Sequence, residues 1–276
     1  MNYLMKNSLF KEALNQVSTH TTEKIQKYTD MIDEFQKIID DAYKLYMPQV
    51  RSEITDLTNF LIQNTGLKDG RPINVLEIGT KYGGTFYIWN KLNEVFGRDK
   101  EHWYQWGWSD TCISIDMSDG GLHGGISEEE MDKRDLWFNE RFENCHFIRG
   151  DSHSEKTQIE FLKLIGFKIL NRSKDDKDRI DLLFIDGDHS YEGVKQDFLD
   201  YSPFVNKGGL ICFHDTVISD RHHERNVYVG EFWRDLTKVR MSDNPNICMI
   251  DSQLYEVFEF VNGNENWGGV GALIKL

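Results

Sequence analysis

The residues best suited to chemistry lie in the segment 182–216, LLFIDGDHSYEGVKQDFLDYSPFVNKGGLICFHDT. Two apolar runs in this segment end in DGDH and in FHD, and a helical stretch joins them. The carboxylates and imidazoles at these two ends belong to Asp186, Asp188, His189, His214 and Asp215. Carboxylate oxygens suit a hard divalent cation such as Mg²⁺, and a histidine can act as a general base. Either histidine could equally be hydrogen-bonded packing, because clustered titratable groups mark sites only statistically.

The elements that must position these residues follow from a pattern that begins at residue 73. Short apolar runs alternate with helical stretches, which is typical of βα units around a parallel sheet. The predicted strands cover residues 73–78, 112–116, 145–150, 180–186 and 209–215, and ICMID, LYEVFEF and GVGALIKL follow as closing strands. The predicted helices begin near Gly84, Ser154, Tyr191 and Val229. The fold class is therefore a doubly wound α/β sheet with an N-terminal helical extension.

Acidic residues stand at or next to the ends of the five predicted parallel strands. These residues are Glu77, Asp116, Asp151, Asp186 and Asp215. In open α/β sheets ligands bind in the crevice outside the carboxyl ends of the strands. We therefore expect the five side chains to converge on one site.

A glycine-rich turn follows the first strand in VLEIGTKYGGTF, residues 75–86. Gly79, Gly83 and Gly84 would let the backbone approach a ligand without obstruction by side chains. The spacing is GxxxGG and departs from the GxGxxG fingerprint of nicotinamide-binding folds. A glycine turn that binds no ligand is the alternative interpretation.

Two later strand ends carry further candidates for ligand contacts. An acid after the second strand, here Asp116, accepts hydrogen bonds from ribose hydroxyls in nucleotide-binding α/β folds. Asp151 or Ser152 after the third strand could bond the edge of an adenine, but Asp151 could equally cap the helix that follows.

Residues 1–66 are predicted to be helical and to form an extension, with the main domain over 67–276. Apolar residues recur at helical spacing as Ile25, Tyr28, Ile32, Phe35, Ile39 and Tyr43, and again as Val50, Ile54, Leu57 and Leu61. Pro48 is expected to break the helix and Gly66 to end it. The extension is interpreted as a substrate cap or as a contact for homo-oligomers.

Two polar segments, 171–179 and 219–226, are predicted to be surface loops. His222 and His223 lie in the second loop, where we expect them to be solvated. The aromatic residues of an insert, Trp103, Tyr104, Trp106 and Trp108, suit either a lid or a stacking surface, or ordinary packing.

Composition narrows the class of protein. The 276 residues carry a net charge of −14, which argues against nucleic acid or an anionic membrane as a partner. No apolar run is long enough for a spanning helix, and the N-terminus has no apolar segment with a cleavage site. Four cysteines without a CxxC pair are expected to be buried free thiols, and the protein to be cytoplasmic.

The stretch Val75–Thr216 resembles the class I S-adenosylmethionine-dependent methyltransferases. It is most similar to the group of macrolide-sugar O-methyltransferases and proteins labelled cephalosporin hydroxylase. The segments that carry the resemblance are LEIGTKYGGT, SIDMSDGG, IRGDSH, FIDGDHSYEGVKQDF and GGLICFHDT, with GEFWRDL and GGVGALIKL beyond them.

The resemblance implies a seven-stranded Rossmann-like methyltransferase sheet with a reversed last strand, and O-methylation of a hydroxyl on a sugar or sugar-containing small molecule. The cofactor is expected to be S-adenosyl-L-methionine. Its contacts are expected from Glu77, Gly79, Thr80, Gly83, Gly84, Thr85, Asp116, Met117, Asp151, Ser152 and Asp186. Mg²⁺ would be held by Asp186, His214 and Asp215, although relatives with an assigned metal carry two oxygen ligands at the later strand end. His214 or His189 is then the candidate base. The alternatives are a nicotinamide-dependent oxidoreductase and a non-catalytic module that binds adenosylmethionine or a glycan.

Overall fold

A computed structural model gives the fold, and it describes residues 22–97, 110–118, 125–166, 180–262 and 266–276, with side chains from residue 32 onward. The chain forms two compact units, residues 1–41 and residues 42–276. The second unit contains the sheet and all the contacts of the site described below. The predicted roles of residues 1–66, as a substrate cap or an oligomer contact, stay predictions.

The second unit is built on one mixed sheet of eight strands in the order β3-β2-β1-β4-β5-β8-β7-β6. The strands are β1 Val75–Ile78, β2 Cys112–Asp116, β3 Cys145–Arg149, β4 Ile180–Ile185, β5 Val205–His214, β6 Ile247–Ile250, β7 Gln253–Phe260 and β8 Val270–Lys275. The first five pair in parallel and the last three pair antiparallel. All five predicted parallel strands are thus confirmed.

The described α-helices connect or cover these strands. They are α1 Thr22–Lys44, α2 Arg51–Asn64, α3 Gly84–Val95, α4 Glu128–Asn139, α5 Glu155–Ile165, α6 Tyr191–Tyr201, α7 Asp220–His223 and α8 Val229–Leu236. The four predicted helix starts lie within one residue of α3, α5, α6 and α8. Sequence reasoning missed α4, whose segment EEEMDKRDLWFN carries charge on most of its faces, so it shows no clear apolar stripe.

The predicted break near Pro48 is confirmed, since α1 ends at Lys44 and α2 begins at Arg51. Helix α2 packs against β7 and β8. Its Ile54, Leu57 and Leu61 are completely buried, as their spacing predicts. The start of α2 therefore lies beside the closing strands of the sheet.

The strand count differs from the seven that the family resemblance implies. The last strand, β8, is reversed against β5 as expected. The additional strand is β6, at the edge of the sheet, which pairs with β7 through a tight turn at Asp251 and Ser252. Both turn residues have positive φ, 46° and 68°, as the twist of a two-residue hairpin requires. The three closing runs in the sequence are the three antiparallel strands.

The sheet is covered on both sides, so its central strands are buried throughout. Every residue of β1 and of β4 is buried, and the four cysteines are buried free thiols, as predicted. The chain order reverses between β1 and β4, which makes the carboxyl ends of these strands the topological switch point where such sheets bind ligands. Within the described part of the chain, no helix is long and apolar enough to cross a membrane.

Candidate functional site

The turn after β1 is shaped by close contacts inside the protein. Gly79 has φ +87°, and a Cβ there would lie 2.1 Å from the carbonyl oxygen of Asp186 at the end of β4. Gly83 has φ +90°, and a Cβ there would lie 2.6 Å from the ring of Phe138. A Cβ at Gly84 would lie 2.6 Å from Met47 Cβ. Packing thus requires glycine at all three positions, and the turn brings β1 and β4 together at the switch point.

Glu77 lies beneath this turn and is completely buried. Its carboxylate accepts hydrogen bonds from Thr85 Oγ1 at 3.0 Å and from Trp89 Nε1 at 2.5 Å. Burial raises the pKa of Glu77 to about 8, against the lowering effect of these two donors. Thr80 is also buried, with its hydroxyl 2.6 Å from that of Ser114. These side chains bond to the protein itself, and their predicted contact with a cofactor stays a prediction.

Asp116 closes β2 and faces the same turn. Its Oδ2 accepts from the backbone N–H of Lys81 at 2.8 Å and pairs with Arg134 Nη1 at 2.6 Å. Oδ1 accepts from the backbone N–H of Met117, whose side chain is exposed. Burial raises the pKa of Asp116, and the Arg134 guanidinium opposes that rise. Arg134 comes from α4, the helix that the sequence pattern did not reveal.

The candidates after β3 have separate roles. Asp151 is exposed and accepts from the backbone N–H of His153 at 2.9 Å. The N-cap of α5 is Ser154, so the alternative that Asp151 caps this helix is wrong. Ser152 donates to Asp197 at 2.6 Å. The hydrogen bond to buried Asp197 also raises the pKa of His153 to about 9, against the effect of burial.

The tips of β4 and β5 bring together four of the five titratable side chains that were predicted to meet there. His189 Nε2 lies 3.4 Å from Asp186 Oδ1 and 3.2 Å from Asp215 Oδ2. His214 Nδ1 lies 3.2 Å from Asp186 Oδ1 and 3.2 Å from Asp215 Oδ1. One ligand atom from each of Asp186, His189 and Asp215 fits within 4.8 Å of the others. The grouping of three thus contains His189, where the sequence prediction has His214.

The charges of this cluster stabilise one another. Burial alone would lower the pKa of His189, but the carboxylates of Asp186 and Asp215 outweigh it and raise the pKa to about 10. The same carboxylates hold the pKa of His214 well above its usual value. Burial would raise the pKa of Asp215, but the histidines hold it well below the usual range. Asp215 also has φ +61°, a conformation that costs energy for a residue other than glycine.

Three residues that sequence reasoning missed surround the cluster. Gln49 Nε2 donates to Asp186 Oδ2 at 2.6 Å from the segment before α2. Glu53, completely buried, accepts from the backbone N–H of Gly269 at 2.8 Å. His222 was expected in solvent, but it is 1% exposed, bonded to the Val217 carbonyl and 3.5 Å from Asp215 Oδ1. The position of His222 soon after β5 could have indicated that it lies near the site. The polar residues around it suggested a solvated loop instead.

Other predicted features lie apart from the cluster. Asp188 is exposed and accepts from the backbone N–H of Ser190 at the start of α6. His223 is largely exposed, as predicted. The aromatic insert at residues 103–108, the polar segment 171–179 and the glycine pair that ends SIDMSDGG lie outside the described residues.

The architecture and the crevice together define a class. In this protein, a doubly wound parallel sheet has a reversed closing strand, a glycine turn at the switch point and an acid at the end of β2. These features are those of a class I S-adenosylmethionine-dependent methyltransferase domain. A family model described as a methyltransferase domain matches residues 76–216, just over half of the chain, and the chain belongs to this family. The methyltransferase family accounts for the glycine turn after β1, so this turn does not support the alternative of a nicotinamide-dependent oxidoreductase.

Two curated relatives are uncharacterized proteins, so they neither support nor extend this class. An uncharacterized protein of Acanthamoeba polyphaga mimivirus is 39% identical over 157 residues, which are 56% of this chain and 55% of that protein. An uncharacterized protein of Sinorhizobium fredii is 26% identical over 174 residues, which are 63% of this chain and 16% of that protein. The chain thus spans little more than half of one curated relative and a small part of the other.

Among solved structures, a calicheamicin methyltransferase is 12% identical, with a TM-score of 0.49, and the match covers 89% of this chain and 92% of that one. This similarity carries no argument about function.

Proposed function

We propose that the chain is an S-adenosylmethionine-dependent O-methyltransferase that acts on a hydroxyl of a small polar molecule, such as a sugar or sugar-containing compound. The family match supports methyl transfer, and the cluster at the tips of β4 and β5 supports a hydroxyl acceptor. The sulfonium of the cofactor already activates the methyl group, so the protein has to hold the acceptor oxygen in line with it and remove the hydroxyl proton.

The observation that carries the proposal is the orientation of His214. Its Nδ1 faces Asp186 and Asp215, whereas its Nε2 is buried and has no hydrogen-bond partner among the described residues. A carboxylate on one ring nitrogen fixes the tautomer and leaves the other nitrogen to take a proton, as in other catalytic histidines. His214 therefore suits the role of base, and the two carboxylates stabilise the imidazolium that forms.

The donor atoms present also fit a divalent cation, which would be held by Asp186, His189 and Asp215. A bound cation would lower the pKa of a coordinated acceptor hydroxyl. His214 and Gln49 orient the carboxylates, because each has a hydrogen-bonding atom next to Asp186. Orientation of ligands by such outer contacts is general in metal sites.

The cofactor would lie across the switch point, between the turn after β1 and the end of β2. Asp116 is the candidate for the ribose hydroxyls, and the loop at Asp151 and Ser152 is the candidate for the adenine. Arg134 and Lys81 hold Asp116 at the turn, which supports a fixed position for its carboxylate. Glu77 supports the turn from below through Thr85 and Trp89.

The test is a methyl-transfer assay with radiolabelled S-adenosylmethionine and a panel of sugar and phenolic hydroxyls. His214→Ala should lose most of the turnover and keep the affinity for the cofactor, because His214 acts on the acceptor. Since the pKa of His214 is raised and a base must be unprotonated, the rate should increase with pH above neutrality. Full activity in His214→Ala would contradict the role of this residue.

The second candidate, a module that binds adenosylmethionine or a glycan without catalysis, is separated by the same assay. Such a module would bind S-adenosylmethionine but release no S-adenosylhomocysteine with any acceptor. The paired acids and histidines at the tips of β4 and β5 favour the enzyme, because binding alone does not need a group that takes a proton from the acceptor.

A further inference from the structure

A polar cavity lies at the amino ends of β4 and β5, at the opposite end of these strands from the site described above. Its volume is about 470 Å³, and every residue that lines it is polar, charged or glycine. We propose that this cavity binds a small phosphorylated polyol, such as a sugar phosphate, as a second ligand of the protein. The inference does not rest on the proposed function, because it uses none of the residues assigned to methyl transfer.

The position of the cavity separates it from the reaction centre. Asp181, in the cavity wall, lies at the start of β4, and Asp186 of the cluster follows the end of the same strand. A strand rises about 3.3 Å per residue, so these two positions are roughly 16 Å apart. Asn206 and His214 likewise lie near the two ends of β5. A ligand of the cavity therefore occupies neither the cofactor site nor the acceptor site.

An irregularity in the sheet forms one wall of the cavity. The pairing of β4 with β5 shifts register between Ile180 and Leu182. A bulge of this kind takes residues out of the ladder and is frequent next to functional sites. The residues of β5 at this point, Asn206, Lys207 and Gly208, line the cavity. A Cβ at Gly208 would meet nothing within 4 Å, so this wall leaves room for a ligand.

A buried amide in this wall has an unused acceptor. Asn206 is 9% exposed, and its Nδ2 donates to Asp181 Oδ1 at 3.4 Å. This contact fixes the orientation of the amide, because the reverse orientation would place two oxygens against each other. The amide oxygen, Oδ1, is buried and has no hydrogen-bond partner among the described residues. A buried acceptor is costly to leave without a donor, and a hydroxyl of a ligand supplies one.

The charges of the lining favour an anion. Lys68 and Lys207 line the cavity with exposed side chains, and in the part of the chain that the structure describes neither ammonium pairs with a carboxylate. The buried carboxylate of Asp181 already accepts from Arg71 Nη2 at 3.2 Å and from the backbone N–H of Asn74 at 2.8 Å. Asp181 therefore leaves the two lysines available to a ligand, in a protein whose net charge is −14.

The types of these groups point to a phosphate that carries hydroxyls. Arg71, whose planar guanidinium would suit a carboxylate, already holds Asp181. Lysines act as point charges, which suit a doubly charged phosphate. The amide oxygen of Asn206 and the exposed carboxylate of Asp69 are acceptors in the same lining, and the hydroxyls of a polyol are donors for both.

The experiment is calorimetric titration of the full chain with glucose 6-phosphate, with glucose and with inorganic phosphate. We expect saturable binding of glucose 6-phosphate, with an affinity at least about tenfold higher than that of either fragment. The reason is that only the complete probe reaches both the lysines and the amide oxygen of Asn206.

Two variants locate the bound probe. A chain with both Lys68→Gln and Lys207→Gln loses two charges at exposed positions and should bind glucose 6-phosphate at least about tenfold more weakly. Asn206→Ala should weaken this binding about tenfold, because it removes the acceptor. The lysine variant keeps the test valid if Asn206→Ala does not fold. The matched control Lys238→Gln, at an exposed lysine outside the cavity, should bind the probe as the wild type does.

Three results would each overturn the inference. They are no binding of glucose 6-phosphate, binding no tighter than that of inorganic phosphate, and binding that the double lysine variant changes no more than Lys238→Gln does. The methyl-transfer assay is independent of this titration. A wild type that transfers no methyl group but binds glucose 6-phosphate through Lys68 and Lys207 would contradict the proposed function and leave this inference intact.

Discussion

Replacement of Glu77 by glutamine should make the protein more stable at neutral and alkaline pH. Glu77 is completely buried beneath the glycine turn, and burial raises its pKa from 4.5 to about 8. The folded state thus binds a proton on Glu77 more tightly than the unfolded state does. This group contributes its full stability below pH 4.5, and the contribution is lost as the pH rises through 8.

The magnitude follows from the size of the shift. One pKa unit corresponds to about 1.4 kcal/mol, so a rise from 4.5 to about 8 represents a loss on the order of 5 kcal/mol across this window. Glutamine resembles the protonated acid, because its Oε1 can accept from Trp89 Nε1 and its amide can donate to Thr85 Oγ1. We therefore expect Glu77→Gln to match the wild type near pH 4.5 and to exceed it increasingly up to pH 8.

The assay is urea denaturation of both proteins at intervals from pH 5 to pH 9. The quantity of interest is the difference between their free energies of unfolding, because all other titrating groups cancel in it. This difference should increase by about 1.4 kcal/mol per pH unit inside the window and become constant above pH 8. A difference that does not change with pH would refute the assignment of a raised pKa to Glu77.

Three further substitutions test the turn, the ribose contact and the contact from the N-terminal segment. Gly79→Ala should lower the free energy of unfolding, measured by urea denaturation, by at least about 2 kcal/mol, because the position has positive φ and an added Cβ would clash with the backbone. The control Gly208→Ala, with positive φ but open space, should lower it less, and the control Gly166→Ala should barely change it. Equal losses in the three variants would contradict the packing argument. Asp116→Asn should weaken the binding of S-adenosylmethionine about tenfold or more, because a hydrogen bond to a charged group contributes about 1.5 to 3 kcal/mol. Calorimetric titration measures this change, and an unchanged affinity would show that Asp116 does not contact the cofactor. Gln49→Leu should weaken binding of a divalent cation, titrated as MgCl₂, about tenfold and leave the affinity for S-adenosylmethionine unchanged. Unchanged cation binding with weaker cofactor binding would contradict the role of Gln49 beside the cation.

Much of the fold could be predicted because each strand is a short apolar run bounded by polar residues. The five parallel strands and the helices at Gly84 and Tyr191 have clear periodicity, and the rule for parallel sheets predicts that their ends meet. The same rule correctly predicts the contact between the DGDH and FHD segments. It needs no information about distant parts of the chain.

The rest of the site depends on contacts that no local pattern encodes. Gln49 meets Asp186 across 137 positions in the chain, and Glu53 meets Gly269 across 216. Helix α2 brings both to the site by packing on β7 and β8, and its own periodicity says only that it has an apolar face. His222 is buried because the short helix α7, which carries it, lies against Val217 and Gly268, although its neighbours in sequence are polar.

The difference between the expected and the observed grouping of the two histidines has a similar cause. The family resemblance implies His214 as a metal ligand together with Asp186 and Asp215. In the structure, the turn after β4 brings His189 Nε2 to both carboxylates, and His214 presents Nδ1 to them from a fully buried position. Which ring nitrogen reaches the carboxylates depends on the course of the backbone after β4 and at the end of β5, and the sequence does not show this course.

Calorimetric titration of the intact chain with S-adenosylmethionine tests the central claim most directly, because every role above assumes that this cofactor lies at the switch point. The account predicts saturable binding that Asp116→Asn weakens and that His214→Ala leaves unchanged. Absence of binding heat at any temperature where the protein is folded, or binding that Asp116→Asn does not affect, would contradict the claim.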